Sequence, residues 1–106
     1  MVDLTENLEA LLAGGTDNAA LRVALATRYL AAGKAERAVE HARAAVDRDA
    51  DYSAAWRVLG KALTAAGRDD EARQAYEQGI DVAERRGDQQ AAKEMRVFLK
   101  RLAPDR

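Results

Sequence analysis

The feature that most constrains this chain is an internal repeat with a period of 34 residues. A shift by 34 positions superposes the tripeptide AAG at 31–33 on the same tripeptide at 65–67, and Leu25 on Leu59. Periodicity of this length indicates a helical repeat array, in which each helix pair buries its apolar face against a neighbouring pair. The other matched pairs are Ala38 and Ala72, Val46 and Ile80, and Asp47 and Asp81.

Each unit contains two helical patterns that meet at a glycine. In the second unit Leu59 and Leu63 recur at helical spacing before Gly67, and the pattern resumes after it through Tyr76. Glycine at this place fits a helix C-terminus, where the backbone enters the left-handed region. The acidic residues 69–71 then suit the positive end of the next helix. The pattern predicts two amphipathic helices joined by a short turn.

The two ends of the chain have the pattern of half units that cap the array. Residues 3–13 match a second helix without its first, and residues 88–103 match a first helix without its second, with Asp88 as a predicted N-cap. A strict shift would bury Lys93 and Glu94, so we expect a slip of one residue in a longer connection around "RRGDQ". The predicted division is one domain, 1–106, with an N-terminal capping helix at 3–13, repeats at 19–52 and 53–86, and a C-terminal capping helix at 88–103.

Composition argues against several classes of function. The chain has no cysteine, so thiolate metal sites, disulfides and cysteine nucleophiles are absent and a cytoplasmic location is expected. The formal net charge of -1 gives no global attraction to nucleic acid or to an anionic membrane, and no apolar run approaches the ~18 residues of a membrane span. The single histidine, His41, is expected at the surface or boundary without an acid–base role. We therefore expect a non-enzymatic protein with no cofactor or metal, and the excess of Arg over Lys hints at a GC-rich bacterial genome.

With this period, the chain resembles the tetratricopeptide repeat family, whose units carry Trp, Leu-Gly, Tyr, Ala, Phe, Ala and Pro at fixed places. The resemblance implies an all-α fold, an α-α superhelix whose concave face is lined by the first helix of each unit, with Trp56 buried between first helices. Departures include Arg22 at the Trp place, Ala42 at the Phe place and Glu84 at the Pro place. The matching residues of the second unit are Trp56, Leu59, Gly60, Leu63, Gly67, Ala72, Tyr76 and Gly79.

The resemblance also implies a partner protein or peptide, bound in the concave groove. Arg57 and Lys61 lie one helical turn apart, and Arg96 and Lys100 repeat that spacing, so the four would form a cationic strip suited to an acidic segment if all faced the groove. The alternative interpretation is ordinary solvated surface charge. The candidate contact residues are Val23, Thr27, Leu30, Arg57, Lys61, Thr64, Arg96 and Lys100.

Charge is divided unevenly between the two ends of the chain. Residues 1–18 hold four acids and no base, whereas residues 85–106 hold seven bases and three acids. Opposite charge at opposite ends favours head-to-tail self-association, so a self-associating structural protein is the alternative function. The simpler interpretation is that each cap is merely well hydrated. A nucleic-acid partner is disfavoured, because the basic C-terminal segment lacks interleaved tyrosines.

Overall fold

The chain is all-helical over residues 3–102, the range that the computed structural model describes. Each helix packs against the next one along the chain, and α2, α4 and α6 also contact one another in that order. This arrangement confirms the all-α, α-α superhelical fold. Position 103, the predicted last residue of the C-terminal helix, lies outside the described residues. The helices are α1 Leu4–Ala13, α2 Ala19–Ala31, α3 Ala35–Arg48, α4 Ser53–Ala65, α5 Asp69–Arg85 and α6 Gln89–Leu102.

Short polar residues and a glycine set the helix ends. The side chains of Asp3, Asn18 and Asp88 accept hydrogen bonds from backbone N–H groups three residues further on, at 3.0, 2.8 and 3.1 Å. Each satisfies a donor that has no partner within its helix, and the predicted N-cap role of Asp88 is confirmed. Gly67, which follows α4, has a φ of +76°, the left-handed conformation expected there.

The register of α6 differs from the prediction. α6 begins at Gln89, 36 residues after the start of α4 at Ser53 and therefore two residues beyond the repeat period. The expected longer connection is wrong, because the connection 86–88 is shorter than its counterpart 49–52, while α5 has 17 residues against 14 in α3. Glu84 stands where the family carries proline, so the helix continues through this place instead of ending.

The core of the second unit depends on two close approaches of α5. A Cβ added at Gly79 would lie 2.8 Å from Trp56 Cβ and 2.5 Å from Met95 Sδ, so α5 sits tightly between α4 and α6. A Cβ at Gly60 would meet the ring of Tyr76. The expectation of a buried Trp56 is wrong: its ring is half-buried at the surface between α3, α4 and α5, and its indole N–H donates to the Ala50 carbonyl at 2.8 Å.

A polar cluster around His41 fastens α1 to the first repeat. His41 is 5% exposed, which corrects the surface or boundary placement, and its ring stacks on Tyr29 with centroids 5.4 Å apart. Arg22 Nη1 lies 3.0 Å from His41 Nδ1, and Nε2 lies 3.6 Å from the Glu9 carboxylate. Since arginine can only donate, Nδ1 accepts and the ring proton sits on Nε2, facing Glu9. Glu9 also accepts a hydrogen bond from the Tyr29 hydroxyl and pairs with Arg37 at 3.6 Å.

We expect the stability of this cluster to depend on pH through His41. Burial lowers the pKa of His41 below its ordinary value of 6.5, although Glu9 opposes the shift, and Arg22 and Arg37 reinforce it. The unfolded chain therefore binds a proton more readily, so the free energy of unfolding should decline as pH falls through about 6.5 and level off below the folded pKa. Thermal unfolding from about pH 7.5 to pH 5 should show a steeper loss for wild type than for His41→Phe. Equal slopes would contradict a neutral, buried His41.

Candidate functional site

A cavity of about 410 Å³ opens between α2, α4 and α6. Its floor is aromatic: the rings of Tyr76 and Phe98 lie 5.6 Å apart at a tilt of 31°. Tyr76 is 2% exposed, and burial raises the pKa of its hydroxyl to about 12, so the floor stays uncharged at neutral pH. We call this cavity the groove, and it is lined by Leu30, Lys61, Thr64, Ala65, Tyr76, Phe98, Arg101 and Leu102.

Two cations stand over the aromatic floor of the groove. Lys61 Nζ lies 5.7 Å and Arg101 Cζ lies 5.9 Å from the centroid of the Phe98 ring. At these distances the ring face attracts each cation and holds it beside the apolar floor. Within residues 3–102, neither cation has a carboxylate oxygen within 4.0 Å. The groove therefore combines apolar surface with two positive charges that no described acid neutralises.

Three of the predicted contact residues, Leu30, Lys61 and Thr64, line this groove. Two others, from α2, do not. Val23 is half-buried and packs against the core of the first repeat. Thr27 is exposed, but its hydroxyl donates to the Val23 carbonyl at 2.8 Å, so that donor is already used within the helix.

The predicted cationic residues are distributed over separate depressions. Arg57 lies beside the groove, in a depression where its Nε is 3.8 Å from a Glu94 carboxylate oxygen. Arg96 and Lys100 line another depression, between α5 and α6, and Arg96 is paired with Glu84. The four predicted cations therefore do not form a single strip. Of these four residues, only Lys61 lines the groove.

The groove residues that sequence reasoning missed come from α6. The helical pattern places Phe98 and Leu102 on the buried face of that helix and gives Arg101 no role. The structure leaves Phe98 and Leu102 half-buried at the cavity wall. The position of these residues depends on the offset of α6, because the observed register of that helix turns Arg101 toward α4. In the sequence, the only sign of this register is the N-cap Asp88, which sets the start of α6.

Within residues 3–102, no cluster of three or more potential metal ligands occurs, and no helix is long and apolar enough to cross a membrane. Buried side-chain nitrogen and oxygen atoms in the same range all have hydrogen-bond partners.

Comparison with known proteins identifies the family. A family model described as tetratricopeptide repeat matches residues 29–95. A TPR repeat-containing protein of Pseudomonas aeruginosa is 54% identical over 99 residues, covering 93% of this chain and 94% of the relative. A protein of Bordetella parapertussis with a known solution structure is 50% identical, with a TM-score of 0.82 over 96% of this chain and 89% of its own. A tetratricopeptide repeat domain protein of Salinibacter ruber is 31% identical, with a TM-score of 0.73 over 81% and 87%. These relatives are bacterial, as the excess of Arg over Lys suggested, and the chain belongs to the tetratricopeptide repeat family.

Proposed function

We propose that this protein binds an extended or helical segment of a partner protein in the groove between α2, α4 and α6. The single observation that carries the proposal is the cavity of about 410 Å³, whose apolar floor lies beneath Lys61 and Arg101. A non-enzymatic role and a cytoplasmic location belong to the same proposal. The family fold supports a protein-interaction module in general, and the groove supports the more specific proposal that a partner segment binds there.

The partner segment should carry an apolar anchor. A cavity of this volume accepts one large aliphatic or aromatic side chain, which would pack on Phe98 and on the exposed edge of Leu30. Most of the binding free energy at such sites comes from a few anchors that are fully removed from water. With one such anchor and a short array, we expect a micromolar dissociation constant, about 8 kcal/mol of binding free energy.

The partner segment should also be acidic beside that anchor. Arg101 can take a carboxylate with two parallel hydrogen bonds, and Lys61 offers a more mobile point charge. Thr64 adds little, because its hydroxyl donates to the Gly60 carbonyl at 2.8 Å. Arg57, already near Glu94, would contribute long-range attraction rather than a direct contact.

Selection from a random peptide library tests this function, followed by titration of the selected peptides in solution. Wild type should enrich peptides in which one large apolar residue is flanked by Asp or Glu. The double variant Lys61→Glu/Arg101→Glu should bind those peptides at least about tenfold more weakly at low salt, because two attractions become repulsions. Added salt should reduce the difference, since the rim charges are screened.

The matched control is Lys34→Glu/Arg86→Glu, which makes the same change of charge at two exposed residues outside the groove. This control should retain wild-type affinity, because only the global charge has changed. Equal losses in both double variants would mean that binding follows net charge alone. Enrichment of peptides without acidic residues would contradict the role of Lys61 and Arg101.

A further inference from the structure

The outer face of α1 exposes two leucines at places that the repeats bury. Leu4 is 52% and Leu11 is 51% exposed. A shift of 34 places Leu4 on Ala38 and Leu11 on Ala45, both 0% exposed. A shift of 68 places Leu11 on Gly79, which packs against Trp56 of the first helix of its own unit. α1 therefore presents to solvent the face that a second helix normally buries against its first helix.

On α6, the side on which a second helix packs in the complete repeats is only partly covered. Leu63 of α4 is 1% exposed beneath α5, but Leu99, its counterpart 36 residues later, is only half-buried. Around Leu99 lies a depression of about 430 Å³, walled by Arg73, Glu77, Arg96 and Lys100. Within residues 3–102, no second helix packs on the outer side of α6, and no first helix packs on the outer face of α1.

The charges of the two faces are complementary. α1 and its N-cap carry no base, and of their three acids Asp3 and Glu6 are exposed, while Glu9 is turned inward to the cluster around His41. The depression beside α6 carries three bases and one acid. Glu6 lies at the edge of the outer face away from the two leucines, and it corresponds to Gln74, an exposed residue that lines a depression between α3, α4 and α5. Lys100 has no carboxylate oxygen within 4.0 Å among the described residues, so it remains available to an incoming acid.

We propose that the outer face of α1 in one copy docks on the depression beside α6 of a second copy, head to tail, with an exposed leucine seated against Leu99. Arg96 occupies the place of Gly60, where the ring of Tyr76 in α5 packs directly on α4, so the docked helix must stand further off than in a complete repeat. The contact is accordingly weak. Because it joins two different surfaces, each added copy leaves one free end of each kind, and assemblies grow with concentration.

Sedimentation equilibrium over a series of concentrations at low salt tests this contact. The average mass of wild type should rise above the 11.5 kDa of one chain, and high salt should lower it. Glu6→Lys and Lys100→Glu should each stay monomeric at concentrations about tenfold above those at which wild type associates. Asp47→Lys, an equal change of charge at an exposed residue of α3, should associate like wild type.

A mixture of the two variants separates this contact from other modes of association. The lysine introduced in E6K and the glutamate introduced in K100E form an attractive pair, and the unchanged Lys100 of E6K and Glu6 of K100E form another, so an equimolar mixture of the two variants should associate and grow with concentration as alternating copies. A mass that stays at one chain for wild type at every concentration would overturn the proposal. So would association of either single variant at wild-type concentrations, or a mixture that fails to associate. Neither Glu6 nor Lys100 lines the groove, so this test is independent of the proposed function.

Discussion

Replacing Tyr76 with alanine should lower the free energy of unfolding by about 3–5 kcal/mol, the range for large aromatic truncations in cores. Tyr76 is 2% exposed and joins the two helices on either side of it, since its ring fills the space above Gly60 in α4 and lies 5.6 Å from Phe98 in α6. Its removal leaves a cavity beneath the groove that the neighbouring backbone can close only in part. Urea denaturation, with the slope of the transition compared between variants, measures this loss.

Tyr76→Phe is the matched control for that prediction. It keeps the ring and removes only the hydroxyl, so we expect a loss of about 1 kcal/mol or less. Losses of equal size in both variants would mean that the hydroxyl, rather than the packing of the ring, stabilises the fold. Because Tyr76 is also the floor of the groove, Tyr76→Ala should weaken binding of the selected peptides even at temperatures where it remains folded.

The sequence predicted the helices well because its strongest signals are local. The glycine after α4 and the polar caps each act within a few residues, so the positions of Gly67 and Asp88 needed no knowledge of the tertiary structure. The polar cluster around His41 required such knowledge, because Glu9, Tyr29 and His41 lie on three different helices. A lone histidine carries no sequence signal that distinguishes a buried residue from a surface one.

The candidate site was predicted only in part, because its composition depends on the register of one helix. Lys61 and Leu30 follow from the repeat positions of α2 and α4. Arg101 and Phe98 depend on the 36-residue offset of α6, which arises from the extra residues at the end of α5. Periodicity alone could not reveal that extension, because no proline stands at Glu84 to end α5 and no glycine lies between Gly79 and Gly87.

The offset also explains why the predicted cations lie on two sides of the molecule. Arg57 and Lys61 lie one turn apart on α4, whereas the observed register directs Arg96 and Lys100 toward the depression between α5 and α6. Charges on these two faces serve different contacts in our proposals: those on the groove select a partner segment, and those beside α6 select a second copy. A protein in which both contacts operate would display several copies of the groove along one assembly, which raises the apparent affinity for a partner that carries repeated segments.

The second large effect concerns Gly60, and we expect Gly60→Ala to destabilise the protein although alanine is the better helix former. In α4 the exchange should contribute about 1 kcal/mol through helix propensity alone. The added methyl would lie 2.6 Å from Tyr76 Cδ1, however, and Tyr76 is too deeply buried to move aside. Overpacking of this kind costs about 1–3 kcal/mol, so after the gain in helix propensity a net loss of up to about 2 kcal/mol is expected in urea denaturation.

The first repeat indicates how that clash can be relieved. Its corresponding pair is Ala26 and Ala42, both 0% exposed, where the second repeat has Gly60 and Tyr76. In a Tyr76→Ala background, Gly60→Ala should therefore become stabilising by about 1 kcal/mol, giving a coupling free energy of about 1–3 kcal/mol between the two sites. Ala26→Gly, the reverse exchange where no tyrosine opposes it, should cost about 1 kcal/mol. Additive effects of Gly60→Ala and Tyr76→Ala would contradict this pairing. They would mean that Gly60 is retained for a reason other than the Tyr76 ring that lies against it.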